Sequence, residues 1–279
     1  MSVQVDARGR AAAGPPAVID AARLVWHQFR YDLLIFARNR QSTFFTIMLP
    51  VIFLVIFAGV FRNDTTTLTN GEKIKQSTYY VPQIIALGIV SAAFSNVVGV
   101  IIYQRETGVL KRRRATPVPA WVLVAGRALT AVALSFVLVA VLLLVGRLAY
   151  GVTLRASTIP GMILTTLAGA LSLCCVAYAL TTLVESNESS QPVIQAITLP
   201  IFFISGTFFP ESIVPAWLLH VADVFPVRHL GHALLTAFGP GGGSGIDATD
   251  LLVLAIWAIA GIVVATRRFS WLPRGGRAE

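Results

Sequence analysis

Six long apolar blocks, at about 44–61, 79–102, 121–145, 158–184, 192–209 and 249–266, decide what this chain can fold into. A helix needs about 18 or more apolar residues to cross the hydrocarbon of a bilayer. The blocks are unbroken and lack the period-two alternation of a half-buried strand. Backbone amides cannot stay unpaired in lipid, so only helices or closed barrels span it, and these runs read as helices. The composition agrees: 56% of the 279 residues are hydrophobic and 13% are charged, about half the charge of a soluble domain. The expected fold class is an all-α integral membrane protein with six transmembrane helices.

The flanks complete the layout. Residues 1–19, with Arg8, Arg10, Gly14, Pro15 and Pro16, read as a disordered cytoplasmic tail. Over 20–43 the pattern turns amphipathic, with Val25, Phe29, Leu33 and Phe36 on one side and Arg23, His27, Arg30 and Arg38 on the other. This spacing predicts a helix lying along the membrane surface; a helix packed on another domain is the plainer reading. The first 43 residues are too long and too charged for the n-region of a signal peptide, so the first span is expected to direct its own insertion. Residues 44–266 form the six-span domain, and 267–279 a basic cytoplasmic tail.

Orientation follows from the basic residues. With the N-terminus inside, the tail and surface helix carry six Lys or Arg, the segment 103–120 five, and the C-terminal tail four. The opposite side carries six: Arg62, Lys73, Lys75, Arg147, Arg155 and Arg228. The bias puts both termini in the cytoplasm. Arg127, just inside the third block, is expected to snorkel to the interface. The net charge of +9 suits anionic headgroups, and no nucleic-acid partner is expected.

Residues 210–240 contain Pro210, Pro215, Pro226 and Pro240 among apolar pieces too short to span, which predicts outer re-entrant helices. A glycine-rich link, 239–245, leads to the last block, where Asp247 and Asp250 suit a helix N-terminus. Cys174 and Cys175 read as packing residues. His220, Asp223, His229 and His232, with Glu211 nearby, crowd the outer segment without a recognised metal spacing, which disfavours a lipid-modifying enzyme.

The most informative stretch is the loop after the second block, Tyr103-Gln104-Arg105-Glu106-Thr107-Gly108-Val109-Leu110-Lys111-Arg112-Arg113-Arg114-Ala115-Thr116-Pro117-Val118-Pro119. It reads as a short charged helix tied to the second and third spans, so a push on it would tilt both. Here the sequence resembles the permeases of type 2 ATP-binding-cassette (ABC) transporters. Their coupling helix follows the pattern E-R-E-x-G-x-L-x-R-x-x-A-T-P-x-P, matched by Arg105, Glu106, Gly108, Leu110, Arg112, Ala115, Thr116, Pro117 and Pro119, with Gln104 in place of an acidic residue. Ser205 to Pro210, Pro215-Ala216-Trp217-Leu218 and Phe225-Pro226 resemble the family's outer re-entrant region.

The resemblance implies an export permease in which the strip Arg105, Glu106, Thr107, Gly108, Val109, Leu110, Lys111, Arg112 and Arg113 couples to an ABC ATPase. Arg105 and Glu106 would make polar contacts to it, and Val109 and Leu110 would plug its cleft; the basic run 111–114 also suits lipid headgroups. Two ATPase copies and a second permease chain, identical or paralogous, are implied. No G-x-x-x-x-G-K-[ST] occurs, so the chain is expected not to be an enzyme and to hold no cofactor itself, with ATP and Mg acting in the partner. Apart from Asp250 at the start of the last, the apolar blocks hold no Asp, Glu or His, which disfavours an ion-coupled transporter.

A substrate path is expected along Phe53, Phe57, Gln83, Asn96, Gln195, Phe202 and Phe203, suited to a hydrophobic or amphiphilic molecule such as a drug, antibiotic or lipid-like metabolite. An equal reading has the phenylalanines facing lipid and the polar groups joining helices. Export of a polysaccharide or glycolipid is the alternative that the resemblance implies, and a membrane scaffold would explain the spans but not the loop.

Overall fold

The computed structural model describes residues 18–61, 64–67, 73–116, 118–211, 213–238 and 244–268. Five segments are long and apolar enough to cross a membrane: Arg40–Val60, Gln76–Glu106, Ala120–Tyr150, Ala156–Leu180 and Ala248–Arg268. In chain order the helices are α1 (Val18–Arg38), α2 (Arg40–Val60), α3 (Gln76–Ile89), α4 (Asn96–Glu106), α5 (Val109–Arg114), α6 (Ala120–Tyr150), α7 (Ile159–Leu180), α8 (Asn187–Ile204), α9 (Ala216–Ala222), α10 (Pro226–Thr236) and α11 (Ala248–Arg268). A π-helical turn, Val90–Ser95, joins α3 to α4 into one rod. Between α2 and α3, Thr65–Thr67 (β1) pairs antiparallel with Lys73–Lys75 (β2), a small hairpin that the apolar pattern did not announce.

The boundaries have local causes. α1 and α2 part at Asn39, whose Oδ1 accepts the Ser42 amide at 3.1 Å while the Thr43 hydroxyl donates to the Phe36 carbonyl at 2.6 Å. The break between the two helices therefore lies at Asn39, ahead of the first apolar block. Gly108 and Gly151 take left-handed conformations, with φ of 70° and 66°, and stop α4 and α6 where a side chain would be strained. α7 ends at Leu180, short of the expected 184.

The largest difference concerns the fifth block, expected over 192–209. Its helix α8 starts at Asn187, where the Ser186 hydroxyl caps it by accepting the Ser189 amide, and stops at Ile204. Gly206, at φ 81°, then turns the chain away. Asn187, Glu188, Gln191 and Gln195 dilute its hydropathy, so α8 is not among the five apolar crossings.

The α3–α4 rod is the centre of the bundle. In its most apolar window 72% of residues are buried, against 17% for α2 and for α11, which lie at the periphery. α11 packs on α7, and a Cβ on Gly261 would lie 2.6 Å from the Cys175 carbonyl carbon. Small residues that let backbones approach are the usual cement of membrane helices. α10, at the end opposite α5, packs against α3, α7 and α11, burying Leu230 and Leu234 completely.

α1 packs along α6. Asp32 and Arg127 form an ion pair at 3.3 Å, their side chains 1% and 8% exposed, and the Gln28 amide donates to Asp32 at 2.8 Å. Arg127 therefore does not snorkel. The carboxylate on α1 offers a shorter route to neutralise it. The expected tails, 1–19 and 267–279, and most of the glycine-rich link, 239–243, lie almost wholly outside the described residues.

Candidate functional site

The strip 105–113 starts where α4 runs out of apolar residues. Thr107 folds back, its amide and hydroxyl both donating to the Tyr103 carbonyl, and Gly108 redirects the chain into the short α5. This turn points the strip's side chains in two directions. Arg105 and Leu110 face inward, at 2% and 5% exposure. Glu106, Thr107, Lys111, Arg112 and Arg114 are exposed, and Val109 and Arg113 half-buried.

Arg105 is occupied within the chain. Its guanidinium donates to the carbonyls of Thr181 at 2.8 Å, of Val184, and of Glu185 at 3.2 Å. Glu106 accepts the amide of Asn187 at 3.1 Å. A guanidinium presents several donors in a fixed fork, well suited to gathering carbonyls from one helix end. The two adjacent residues thus fasten the loop after α4 to the loop between α7 and α8. Leu110 packs into the core at 5% exposure, and the guanidinium of Arg105 is engaged by carbonyls of its own chain. No sequence signal pointed to Thr181, Val184 and Asn187, because backbone groups are the partners.

The expected path residues separate into three places. Phe53, Phe57, Phe202 and Phe203 converge on Phe208, with ring centroids 5.2 to 5.9 Å from it. Tyr80 joins through Phe57 at 5.2 Å, and its hydroxyl donates to the Phe208 carbonyl at 3.2 Å. This aromatic cluster bridges α2, α3 and the turn after α8 at the end opposite α5. Gln83 belongs elsewhere. It is 2% exposed and faces Gly231 of α10, where a Cβ would come within 2.5 Å of its Oε1, so it serves packing between α3 and α10. Asn96 and Gln195 meet in a cleft of about 530 Å³ nearer to α5, which Asn39, Ser42, Ser95 and Gln191 also line.

His229 and His232 of α10 form a clasp with Asp250. The Asp250 carboxylate bonds His229 Nδ1 at 2.7 Å with one oxygen and His232 Nδ1 at 2.6 Å with the other. His229 Nε2 bonds the Asp223 carbonyl at 2.8 Å, and the Asp223 side chain pairs with Arg228 at 2.9 Å. Hydrogen bonding to Asp250 raises the pKa of both imidazoles above its ordinary value, against the opposing effect of burial. Among the described residues, His232, Asp247 and Asp250 could hold a cation, with donor atoms within 4.8 Å of one another. Both Asp250 oxygens are instead taken by imidazoles. The clasp ties α10 to the first turn of α11, and Asp250 was the member absent from the sequence grouping.

An amphipathic helix before the first span, a glycine-interrupted strip between the second and third, and short helices before the last agree with a known arrangement. The family model of the ABC-2 type transporter matches residues 23–238. The chain belongs to the ABC-2 type transporter family. It is a multi-pass membrane protein and a permease component, in a family whose ATPase activity lies in separate subunits. An ABC ATPase is thereby implied as partner. No match was found among curated proteins.

Proposed function

We propose that this permease exports a hydrophobic or amphiphilic substrate, of the drug, antibiotic or lipid-like class, across the cytoplasmic membrane, driven by ATP and Mg in two partner ATPase subunits. The observation that carries the coupling is the double fastening of Arg105 and Glu106 to the loop after α7. Because of it, the loops at 103–119 and 181–187 form one platform. A force on the exposed Thr107, Lys111 and Arg112 reaches α4, α7 and α8 together. These residues and Val109 are the contact surface in our reading, while Arg105 and Leu110 transmit.

The basic bias of this end supports a cytoplasmic platform with both termini on the same side. α8 is the sixth crossing. Its start meets Glu106, and the turn after its end meets Tyr79, whose hydroxyl donates to the Gly206 carbonyl at 2.8 Å, so α8 lies alongside the α3–α4 rod. α9 and α10 are too short to span, at roughly 1.5 Å per residue, and act as half-inserted outer helices. α1 lies at the interface. Cargo passes beside α2 and α8, whose exposed Phe44, Phe45, Leu199 and Phe203 offer an apolar surface to it and to a second permease chain.

Co-purification tests the coupling. Lys111→Glu with Arg112→Glu changes two exposed side chains and is expected to strip the ATPase from the solubilised complex while the permease stays folded. Full ATPase retention, with substrate-stimulated hydrolysis intact, would refute the assignment of this surface.

A further inference from the structure

The cleft between the start of α2, the π-turn with α4, and the start of α8 has an unusual lining. Nine of its eleven residues carry amide or hydroxyl side chains, and none of the eleven is charged. Its volume of about 530 Å³ lies within the roughly 300–1,000 Å³ of small-molecule sites. Asn39, Ser42, Ser95, Asn96, Gln191 and Gln195 face it from three separate elements. Two apolar residues, Phe45 and Leu49, complete the lining on the α2 side.

Physical chemistry narrows the occupant. Amides and hydroxyls lose free energy when they face hydrocarbon without partners. A cluster of nine is therefore matched to something that hydrogen-bonds. With no Lys, Arg, Asp or Glu on the wall, an ionised group would enter a site of reduced dielectric with nothing to neutralise it. Arg40 and Glu188, close in sequence, are not among the lining residues. The lining thus favours a neutral group rich in donors and acceptors. The adjoining face of α2, with Phe45 55% and Ile52 42% exposed, suits an alkyl or aromatic tail. The π-turn widens the backbone here, a feature found often at functional sites.

We infer that the cleft binds the uncharged, hydrogen-bonding headgroup of an amphiphile, whose tail lies along α2. This rests on the reading that cargo passes beside α2 and α8. Selection is by exclusion: cationic and anionic amphiphiles of the same chain length bind more weakly because the wall cannot compensate their charge. Asn96 and Gln195, from α4 and α8, determine that specificity.

The test uses the permease–ATPase complex in nanodiscs of neutral lipid, with empty nanodiscs subtracted. Three tritiated probes share an octyl chain: octyl glucoside, octyltrimethylammonium and octanoate. The glucoside is expected to bind at least about tenfold more tightly than either ion, a difference of about 1.4 kcal/mol. Asn96→Asp, nearly isosteric, is expected to reverse the order of glucoside and ammonium, and Gln195→Glu to do the same independently. Retained ATPase in each variant certifies folding. Equal binding of the three probes, or an order unmoved by both substitutions, would overturn the inference. Loss of ATPase from the unaltered complex with glucoside selectivity intact would instead sink the coupling assignment alone.

Discussion

Replacing Arg105 with alanine removes the group that gathers the carbonyls of Thr181, Val184 and Glu185. A hydrogen bond from a charged donor contributes about 1.5–3 kcal/mol, and leaving a buried acceptor unpaired adds to the loss. Three such bonds share one side chain and are not additive. A loss of about 4 kcal/mol is a fair order of magnitude for undocking the 181–187 segment, close to a thousandfold in its equilibrium. Hydrogen exchange reads this directly. The amides of Thr181, Thr182 and Leu183 bond carbonyls in the last turn of α7, and that of Asn187 bonds Glu106. Their protection is expected to collapse in Arg105→Ala and to recover in part in Arg105→Lys, which keeps the charge but not the planar fork. A direct contact between Arg105 and the ATPase would leave a different signature: the ATPase lost and exchange unchanged. That result would refute the internal role.

Further predictions concern the rest of the bundle. Asp32→Ala leaves Arg127 buried without its counter-charge and is expected to destabilise the packing of α1 on α6 by about 3–5 kcal/mol, read as a lowered midpoint of thermal unfolding in detergent; an unmoved midpoint would argue against the pair. Gly261→Ala places a methyl group 2.6 Å from the backbone of α7 and is expected to lower that midpoint, whereas Ala260→Leu, a good helix former on the exposed side of α11, leaves it nearly unchanged. The imidazoles of His229 and His232 have raised pKa values through their bonds to Asp250. A raised folded-state value means their stabilisation is full below the ordinary imidazole range, about 6.5, and is lost as pH rises through the folded value. Thermal midpoints are therefore expected to fall as pH rises above about 6.5, and Asp250→Asn to flatten that dependence; a flat profile in the unaltered protein would contradict it.

The large features were legible because they rest on bulk properties. Apolar run length located the five candidate crossings. The strip 105–113 was legible as a pattern, but the direction of its side chains was not. Whether Arg105 faces a partner or its own chain depends on where the end of α7 lies, which local sequence does not encode. Asp32 carried a readable sign. It falls among Phe29, Leu33 and Phe36 on the apolar side of α1, where a carboxylate needs a buried cation, and Arg127 is the one cation inside an apolar block. The start of α8 was obscured for the opposite reason. Asn187, Glu188 and Gln191 read as loop, yet a serine cap and long-range hydrogen bonds outweigh their composition.

The rod from Gln76 to Glu106 holds 31 residues, about 46 Å at helical rise. Its π-turn sits near mid-length, packed on α6 and α7; Glu106 at one end is bonded to the first residue of α8, and Tyr79 near the other to the turn that follows α8. With its middle as the pivot, such a beam would rock. A displacement of an ångström at the Glu106 end would then return as a similar displacement, opposite in sense, near Tyr79. Strokes delivered on one face of the bilayer would then be felt on the other without any change in the beam's length.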